Sequence, residues 1–553
     1  MDITRHRILV IGDDSRGALA IVRSLSRAGT SVSLASESRE SIVRKSRAVW
    51  RIFNLPSSAA SISRWSNALK EIIRQHEFDA IIPANETAWL GLMRLKRDLP
   101  KSALRFLPEG KAFESVYRKS KTIALAKSLS IPVPETVFFE NEEEAISFLQ
   151  NRGFREPSVL KPDVSKVWSG EYRIDLEVSV LETLEGARSF LRSVMPFAPV
   201  LIQEYVPGVG IGQEFLARNG EIVLSFEHER VHEPSGSGGS SYRKSVLMHP
   251  GMIECSEKLI RALGWNGVCM IEYRWDPKTN QFWLMEVNGR FWGSLPLAVR
   301  AGADFPAALI SLELGGIKPS HGTYRVGLFA RNLGKDFRWI FETKGIFGVL
   351  KESVIALFRL LSGREIWDTF SLSDPKPFFV ECILYGKKVL HVIRSFFSRL
   401  LSRPFSFFLG EYMRKRRIMR IISCIKKNPN VLFVCYGNIA RSPFAERLAK
   451  KIFSEAEIQG FFFSSCGYYS ESGRVPGVLS EIAANEFGVS LTGHRSVVIS
   501  KEDVEKAGVV FCMDWKNFKA LRSRFSGART KLFLLGEFSP DDATREVPDP
   551  WMK

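Results

Sequence analysis

The 553-residue sequence predicts a multidomain protein of the α/β class, and three observations predict it. Both ends open with an apolar, β-branched strand followed by an amphipathic helix, "RILVIG" then "ALAIVRSLSRAG" from residue 7 and "NVLFVCYG" then "PFAERLAKKIF" from residue 430. Between them, strand and hairpin signals mix with helical ones, as in an α+β domain. At about 100–200 residues per domain the length calls for roughly three or four units. They read as an α/β unit over 1–105, an α+β unit over 106–320, a basic helical connecting region over 321–428, and a parallel-sheet α/β unit over 429–553.

In the first unit, the "GDDSRG" turn after the opening strand is neither a dinucleotide fingerprint nor a phosphate-binding P-loop, since no Lys-Ser/Thr pair follows its second glycine. "FDAIIPANETAW" (78–89) reads as a later strand of the same sheet, ending in polar residues where α/β sheets bind ligands. Seven scattered cysteines with no C-x-x-C spacing argue against a disulfide framework or a zinc ribbon. No signal peptide and no run of 18 apolar residues is read, so the expected location is the cytoplasm. The net charge of +18 concentrates between 387 and 427, where twelve Lys and Arg face a single Glu411. Helices packed against the flanking domains account for that stretch, with an anionic membrane surface contacted through 390–425 as the alternative. No nucleic-acid motif accompanies the charge, and no nucleic-acid partner is expected.

The first chemical centre is the loop Cys435, Tyr436, Gly437, Asn438, Ile439, Ala440, Arg441 and Ser442, between a strand and a helix. Such a turn aims successive backbone N–H groups into one concavity at a helix N-terminus, which favours an anion. The same field favours a cysteine thiolate, the nucleophilic form. Arg441 supplies a planar fork for two phosphate oxygens. Gly437 and Asn438 are expected at positive φ, and Pro443 suits the first helical turn. A thiolate attacking a phosphomonoester needs a group to protonate the departing oxygen, and Asp549, held between Pro548 and Pro550, is the candidate acid.

Over 429–553 these residues resemble the low-molecular-weight protein tyrosine phosphatases, through "VCYGNIARSP", "GHRS" (493–496), "FCMDWKN" (511–517) and "VPDPW" (547–551). The resemblance implies a phosphocysteine at Cys435, phosphoryl binding by Arg441, and a hydrogen bond from Ser442 to the thiolate. It makes Asp549 first an acid and then a base, with Asn438 and His494 shaping the loop and Tyr468 and Tyr469 at the aromatic rim. A phosphotyrosine protein or a small phosphoester is the implied substrate. Many relatives carry a second cysteine in the loop, where Ala440 stands here. The related arsenate reductases are the alternative, with Cys512 near a first relay position.

The second centre is "NGVCMIEYRWDPKTNQFWLMEVNGRFWGS" (266–294), two strand-like runs around a "DPKTNQ" turn. A hairpin symmetric about Thr279 sets Glu272 across from Glu286, and Asn288 shares that face. Two carboxylates and an amide oxygen suit Mg²⁺. With "PSVLKPD" (157–163) and "LIQEYVPGVGIGQEF" (201–215), this stretch resembles an ATP-grasp domain of the carboxylate–amine ligase type, and residues 1–105 its preceding α/β domain. The resemblance implies ATP with Mg²⁺, or Mn²⁺ in its place, held by Glu272, Glu286 and Asn288. It implies phosphate contacts from Lys161 and Lys119 (Lys121 lies one step away), adenine read by Gln203, Glu204, Tyr205 and Val206, ribose by Glu214, and Arg290 on the transferred phosphate. "EPSGSGGSSY" (233–242) would be a lid. An unidentified carboxylate and an unidentified amine are the expected substrates, and an ATP-binding module that regulates the phosphatase is the alternative.

Overall fold

Strand β1 (Arg7–Ile11) is buried at four of its five positions, as a strand apolar on both faces must be, and it takes an inner place in a sheet. With β2 (Ser31–Ser36), β3 (Arg51–Asn54) and β4 (Ala80–Pro83) it forms a parallel sheet of order β3-β2-β1-β4. The computed structural model describes residues 6–13, 16–101, 105–153, 157–234, 239–316, 323–386, 414–539 and 546–549. These fall into two units, Met1–Val389 and Leu390–Lys553.

Two further sheets complete the first unit. Strands β5 (Thr136–Phe139), β6 (Ser158–Pro162), β9 (Ser179–Leu181) and β10 (Val200–Glu204) pair antiparallel in the order β5-β10-β6-β9. Between β6 and β9 a short hairpin, β7 (Lys166–Ser169) and β8 (Tyr172–Asp175), turns at Gly170 with φ +60°. Glu171 in that turn accepts bonds from Ser61 Oγ (2.8 Å) and Ser63 N (3.0 Å), which docks the hairpin at the start of the helix Ile62–Gln75. The largest sheet contains β11 (Val209–Arg218), β12 (Glu221–His232), β13 (Tyr242–Val246), β14 (Gly267–Trp275), β15 (Phe282–Asn288), β16 (Phe329–Arg331) and β17 (Glu365–Trp367), in the order β15-β14-β11-β12-β13-β16-β17.

The first unit therefore does not close at residue 320. Residues 323–386, read from the sequence as part of a helical connector, add β16 and β17 to the large sheet and a helix, Leu333–Leu361, against it. Arg331, fully buried, secures this extension through ion pairs to Asp336 and to Glu365 (2.8 Å).

In the second unit β18 (Asn430–Cys435), β19 (Phe462–Gly467), β20 (Val509–Cys512) and β21 (Leu532–Leu534) form a parallel sheet of order β19-β18-β20-β21. A helix over 414–427 belongs to this unit: Ile421 is 0 % exposed among Val431, Phe433, Val509 and Phe511, and Arg417 pairs with Glu537 at 2.9 Å. The stretch 390–425, expected from the sequence to contact an anionic membrane surface, is described only in part. Its described end is packed into a protein core, while 390–413 lies outside the described residues. Among the described residues no single helix is long and apolar enough to cross a membrane; the pair Leu295–Ala301 and Phe305–Glu313 is bent by 79° and lies in the core.

Candidate active sites

The loop after β18 is held from three sides. Asn438 takes φ +50° and spends its amide fully, donating to Ser442 Oγ (2.9 Å) and Ser465 Oγ (3.0 Å) and accepting from Val497 N (2.8 Å). His494 Nε2 meets its carbonyl at 2.9 Å. Gly467 lets the loop lie on β19, since a Cβ there would stand 2.7 Å from Tyr436 O. Gly437 is not at positive φ, against expectation; its carbonyl accepts from Arg474 Nη2 at 2.5 Å, and that guanidinium stacks over Tyr469.

At the floor, Cys435 is buried with its Sγ 3.0 Å from Ser442 Oγ and 3.2 Å from the Asn438 amide that donates to it. Arg441 begins the helix Arg441–Glu455 and is 9 % exposed. Its Nη1 donates to Asp514 Oδ2 (2.8 Å) and Val547 O (2.9 Å), and its Nη2 to Asp549 Oδ2 (2.6 Å). The cysteine, the arginine and the terminal aspartate thus converge, 114 positions apart in sequence. Tyr436 meets Tyr468 and Tyr469 edge-on at the mouth, with ring centroids 5.0 and 5.4 Å away. Ile439 and Ala440 complete the loop without polar side chains.

Sequence reasoning missed Asp514. It caps the helix Trp515–Arg524, and although burial pushes its carboxyl upward, the Asn517 amides and Arg441 hold it below the usual carboxylate range. The only local signal was the D-x-x-N cap spacing inside "MDWKN". Cys512, the suggested relay, is fully buried in the cluster on the opposite face of the sheet from Cys435, and burial pushes its thiol well up.

In the first unit Glu272 pairs in register with Glu286, and Asn288 lies between their carboxylates, with its Nδ2 2.9 Å from Glu286 Oε1 and 3.2 Å from Glu272 Oε1. Burial, and then the neighbouring Glu286, push the Glu272 carboxyl up to about 7 even though Arg230 contacts it. Glu286 is held low against its burial by Lys119, Asn288 and Lys161. Two carboxylates that repel each other in one buried place suit a hard divalent cation, which Asn288 would join by turning its Oδ1 inward in place of the Nδ2 that now donates to both.

Lys161, on β6, is 8 % exposed, and burial pulls its ammonium down to about 8. Lys119 is 9 % exposed and donates to Ser165 Oγ at 3.0 Å, whereas Lys121 points outward and pairs with Glu114. Lys119, Ser165, Glu286, Asn288, Arg290 and Glu86 line a cleft of about 400 Å³, open to solvent. Pairing of β10 ends at Glu204, whose amide is already bonded to Glu135 O (3.0 Å), so Tyr205 and Val206 are left beyond the sheet. Gln203 turns inward and donates to Thr136 Oγ1 (2.8 Å).

Glu214 does not lie where a ribose could reach it. It is 0 % exposed, with Oε1 held by Ser294 Oγ (2.8 Å) and His228 Nδ1 (3.0 Å). On β11 it stands opposite Met270, one side-chain pair along from Gly212, which stands opposite Glu272. The lid stretch 233–242 is only partly described, as 235–238 lie outside the described residues.

Two charged residues of this cleft were not anticipated. Arg230 crosses β11 to reach Glu272, and it can do so because Gly210 offers no side chain: a Cβ there would be 2.6 Å from Arg230 Cδ. The alternate glycines of "VGIG" were the available signal. Glu86, at the start of the helix Glu86–Arg94, brings Oε2 to 3.9 Å from Arg290 Nη2.

Residues 430–553 match the family model described as low molecular weight phosphotyrosine protein phosphatase, and residues 196–333 match one described as ATP-grasp in the biosynthetic pathway with Ter operon. The low molecular weight phosphotyrosine protein phosphatase of Schizosaccharomyces pombe is 32 % identical over 131 residues, 23 % of this chain and 82 % of that protein. The low molecular weight protein-tyrosine-phosphatase Wzb of Escherichia coli K12 is 32 % identical over 124 residues, 22 % of this chain and 79 % of its own length. Among solved structures, the L-amino acid ligase from Bacillus licheniformis overlays with a TM-score of 0.44 at 17 % identity, covering 59 % of this chain and 79 % of that one.

Proposed function

The chain belongs, through residues 430–553, to the low molecular weight phosphotyrosine protein phosphatase family, and on that premise we propose that it hydrolyses aryl phosphomonoesters at Cys435. The observation that carries the reading is the Cys435 thiol held by Ser442 Oγ and the Asn438 backbone amide in a loop whose Arg441 is paired to Asp549. A phosphate dianion entering the loop draws Arg441 from Asp549 to its own oxygens. Asp549 then serves as the acid of the first step. The Cys435 thiolate then attacks phosphorus; an S–P bond forms, the ester P–O bond breaks, and the Asp549 proton goes to the leaving oxygen. In the second step Asp549, now a carboxylate, takes a proton from water as the water attacks phosphorus. Inorganic phosphate leaves and the thiolate is restored. Hydrolysis of p-nitrophenyl phosphate by Cys435→Ser at the wild-type rate would refute this.

For the ATP-grasp half we propose ATP-dependent ligation of a carboxylate to an amine. Glu272, Glu286 and Asn288 would hold Mg²⁺ or Mn²⁺, which would neutralise phosphate charge. Lys119 and Lys161 would position the ATP phosphates, and Arg290 would steady the phosphoryl group as it passes to the acceptor carboxylate. ADP release that requires both a carboxylate and an amine supports ligation. Tight ATP binding without release supports instead a module that regulates the phosphatase. The burial of Cys512 on the far face of its sheet weighs against an arsenate relay.

A further inference from the structure

One peptide unit of the cysteine loop is engaged at both ends. Between Gly437 and Asn438 the amide N–H donates to Cys435 Sγ at 3.2 Å, while the carbonyl accepts from Arg474 Nη2 at 2.5 Å. In a trans peptide these two groups point in opposite directions, so a donor that holds the carbonyl outward aims the N–H at the sulfur. The donor is a cation, and a charge-assisted bond to the carbonyl draws electron density from the whole amide, which strengthens its N–H as a donor on the far side. The same contact accounts for the glycine. Gly437 is not at positive φ, yet a Cβ there would stand 3.4 Å from Arg474 Nη2 and 3.3 Å from Ile439 Cγ1, a tight fit for any side chain.

Arg474 is half-buried and held from several sides. Its backbone is locked to Ser496 in both directions: Arg474 N donates to Ser496 Oγ (3.0 Å) and Ser496 N to Arg474 O (2.8 Å), beside the turn at Gly473 with φ +80°. The next residue, Val497, donates to Asn438 Oδ1 (2.8 Å), so one short segment fixes both the arginine and the loop it reaches. The guanidinium lies 4.1 Å over the Tyr469 ring, and the Tyr469 backbone N–H donates to Tyr436 O at 3.0 Å. Among the described residues its acceptors are backbone carbonyls, Glu471 O (3.3 Å) besides Gly437 O, so its charge is directed at the loop and not spent on a carboxylate. Arg474 belongs to none of the motifs that carry the family resemblance.

We propose that Arg474 is a positioning residue for the phosphatase chemistry: through the Gly437–Asn438 peptide it aims and polarises the amide that stabilises the Cys435 thiolate. The proposal rests on the hydrolytic reading of Cys435. The other charged or titratable groups around the thiol are Arg441 with Asp514 and Asp549, His494 on the Asn438 carbonyl, Cys466, and Tyr436 and Tyr468 at the mouth, and the test leaves all of them unchanged. It compares the full-length protein with Arg474→Gln, which removes the charge but keeps a hydrogen-bond donor, and with Arg474→Lys, which keeps the charge. Alkylation of Cys435 by iodoacetamide is followed by the mass of its peptide, a readout that does not depend on hydrolysis. Because the thiolate is the reacting form, Arg474→Gln should alkylate about three- to tenfold more slowly than wild type near pH 6, and at nearly the wild-type rate near pH 9.5, where hydroxide suffices to ionise a thiol. The kcat/KM for p-nitrophenyl phosphate near pH 6 should fall on the order of tenfold, and Arg474→Lys should recover most of both losses. The proposal falls if Arg474→Gln alkylates as wild type does near pH 6, or if it slows equally at both pH values, which would leave Arg474 a structural brace only. It also falls if Arg474→Lys is as slow as Arg474→Gln, since the charge would then not be the agent. Should Cys435→Ser keep the wild-type hydrolysis rate, the hydrolytic reading fails instead, and the two alkylation profiles still decide the role of Arg474.

Discussion

Replacing Lys161 by methionine should stabilise the nucleotide-free protein while destroying its nucleotide site. An unfolded lysine titrates near 10.5, and burial brings this one down to about 8. Each pKa unit is worth about 1.4 kcal/mol, so keeping the ammonium charged at pH 7 costs the fold about 3 kcal/mol. The sign follows from proton counting. Between about pH 8 and 10.5 the unfolded chain binds more protons than the folded one, so this contribution to stability rises with pH; below pH 8 the penalty is present in full. Methionine is close in volume and carries no charge. At pH 7 the variant should gain about 3 kcal/mol, roughly 3–5 °C in the melting temperature of a unit this large. By pH 9.5 the gain should shrink to about 1.4 kcal/mol as the wild-type lysine neutralises. Differential scanning fluorimetry of wild type and variant at both pH values, with and without ATP·Mg²⁺, reads all of this. A variant less stable than wild type at pH 7, a gap indifferent to pH, or full protection of the variant by ATP·Mg²⁺ would refute the reasoning.

Cys435→Ser should leave no measurable turnover of p-nitrophenyl phosphate in steady-state assays. Asp549→Asn should lower kcat by about 10²–10⁴ on phosphotyrosine and by less on p-nitrophenyl phosphate, whose leaving group needs little protonation; equal losses on the two esters would rule out an acid role. Asp514→Asn should weaken inhibition by inorganic phosphate about 10- to 100-fold, because Arg441 loses a half-buried charged acceptor, while alkylation of Cys435 by iodoacetamide continues. Ile421→Ala should cost the phosphatase unit about 2–5 kcal/mol, read as a lower temperature of heat inactivation. An unchanged inactivation temperature would remove the helix over 414–427 from the unit.

The parts legible in the sequence were those whose geometry is local. Seven residues on either side of Thr279 suffice to pair Glu272 with Glu286, because a hairpin's turn sets its register. The cysteine loop is eight consecutive residues between a strand and a helix, so its concavity follows from chain geometry alone. Asp514, Arg230 and Glu86 stayed hidden because strand order in a sheet is not written locally: β20 lies beside β18, and β12 lies two strands from β14. Glu214, expected at the ribose through the family resemblance, is instead buried against Ser294 and His228, packing that its own stretch of sequence does not show. Strands β16 and β17, three residues each, are too short to show any alternation, so the region around them read as helical connector.

Both sites meet one electrostatic demand in the same way. A pocket built for phosphate must bury cations, and a buried cation without a partner is costly. In the phosphatase loop Asp514 and Asp549 hold Arg441; in the first unit Glu272 faces Arg230, and Glu86 faces Arg290. The two partners of Arg441 are not equivalent, though. Asp514 also caps the helix Trp515–Arg524 and accepts from Asn517, so it has structural reasons to stay ionised and in place. Asp549 is set between two prolines in sequence and pairs with the outer nitrogen of the fork. On the proposed mechanism an arriving dianion would take the place of Asp549 at Arg441 while Asp514 stays as helix cap, and Asp549 would then serve the leaving oxygen. Substrate binding and acid activation would then be one exchange of partners at Arg441. This is why the loss of Asp549 should appear in kcat, and the loss of Asp514 in phosphate affinity.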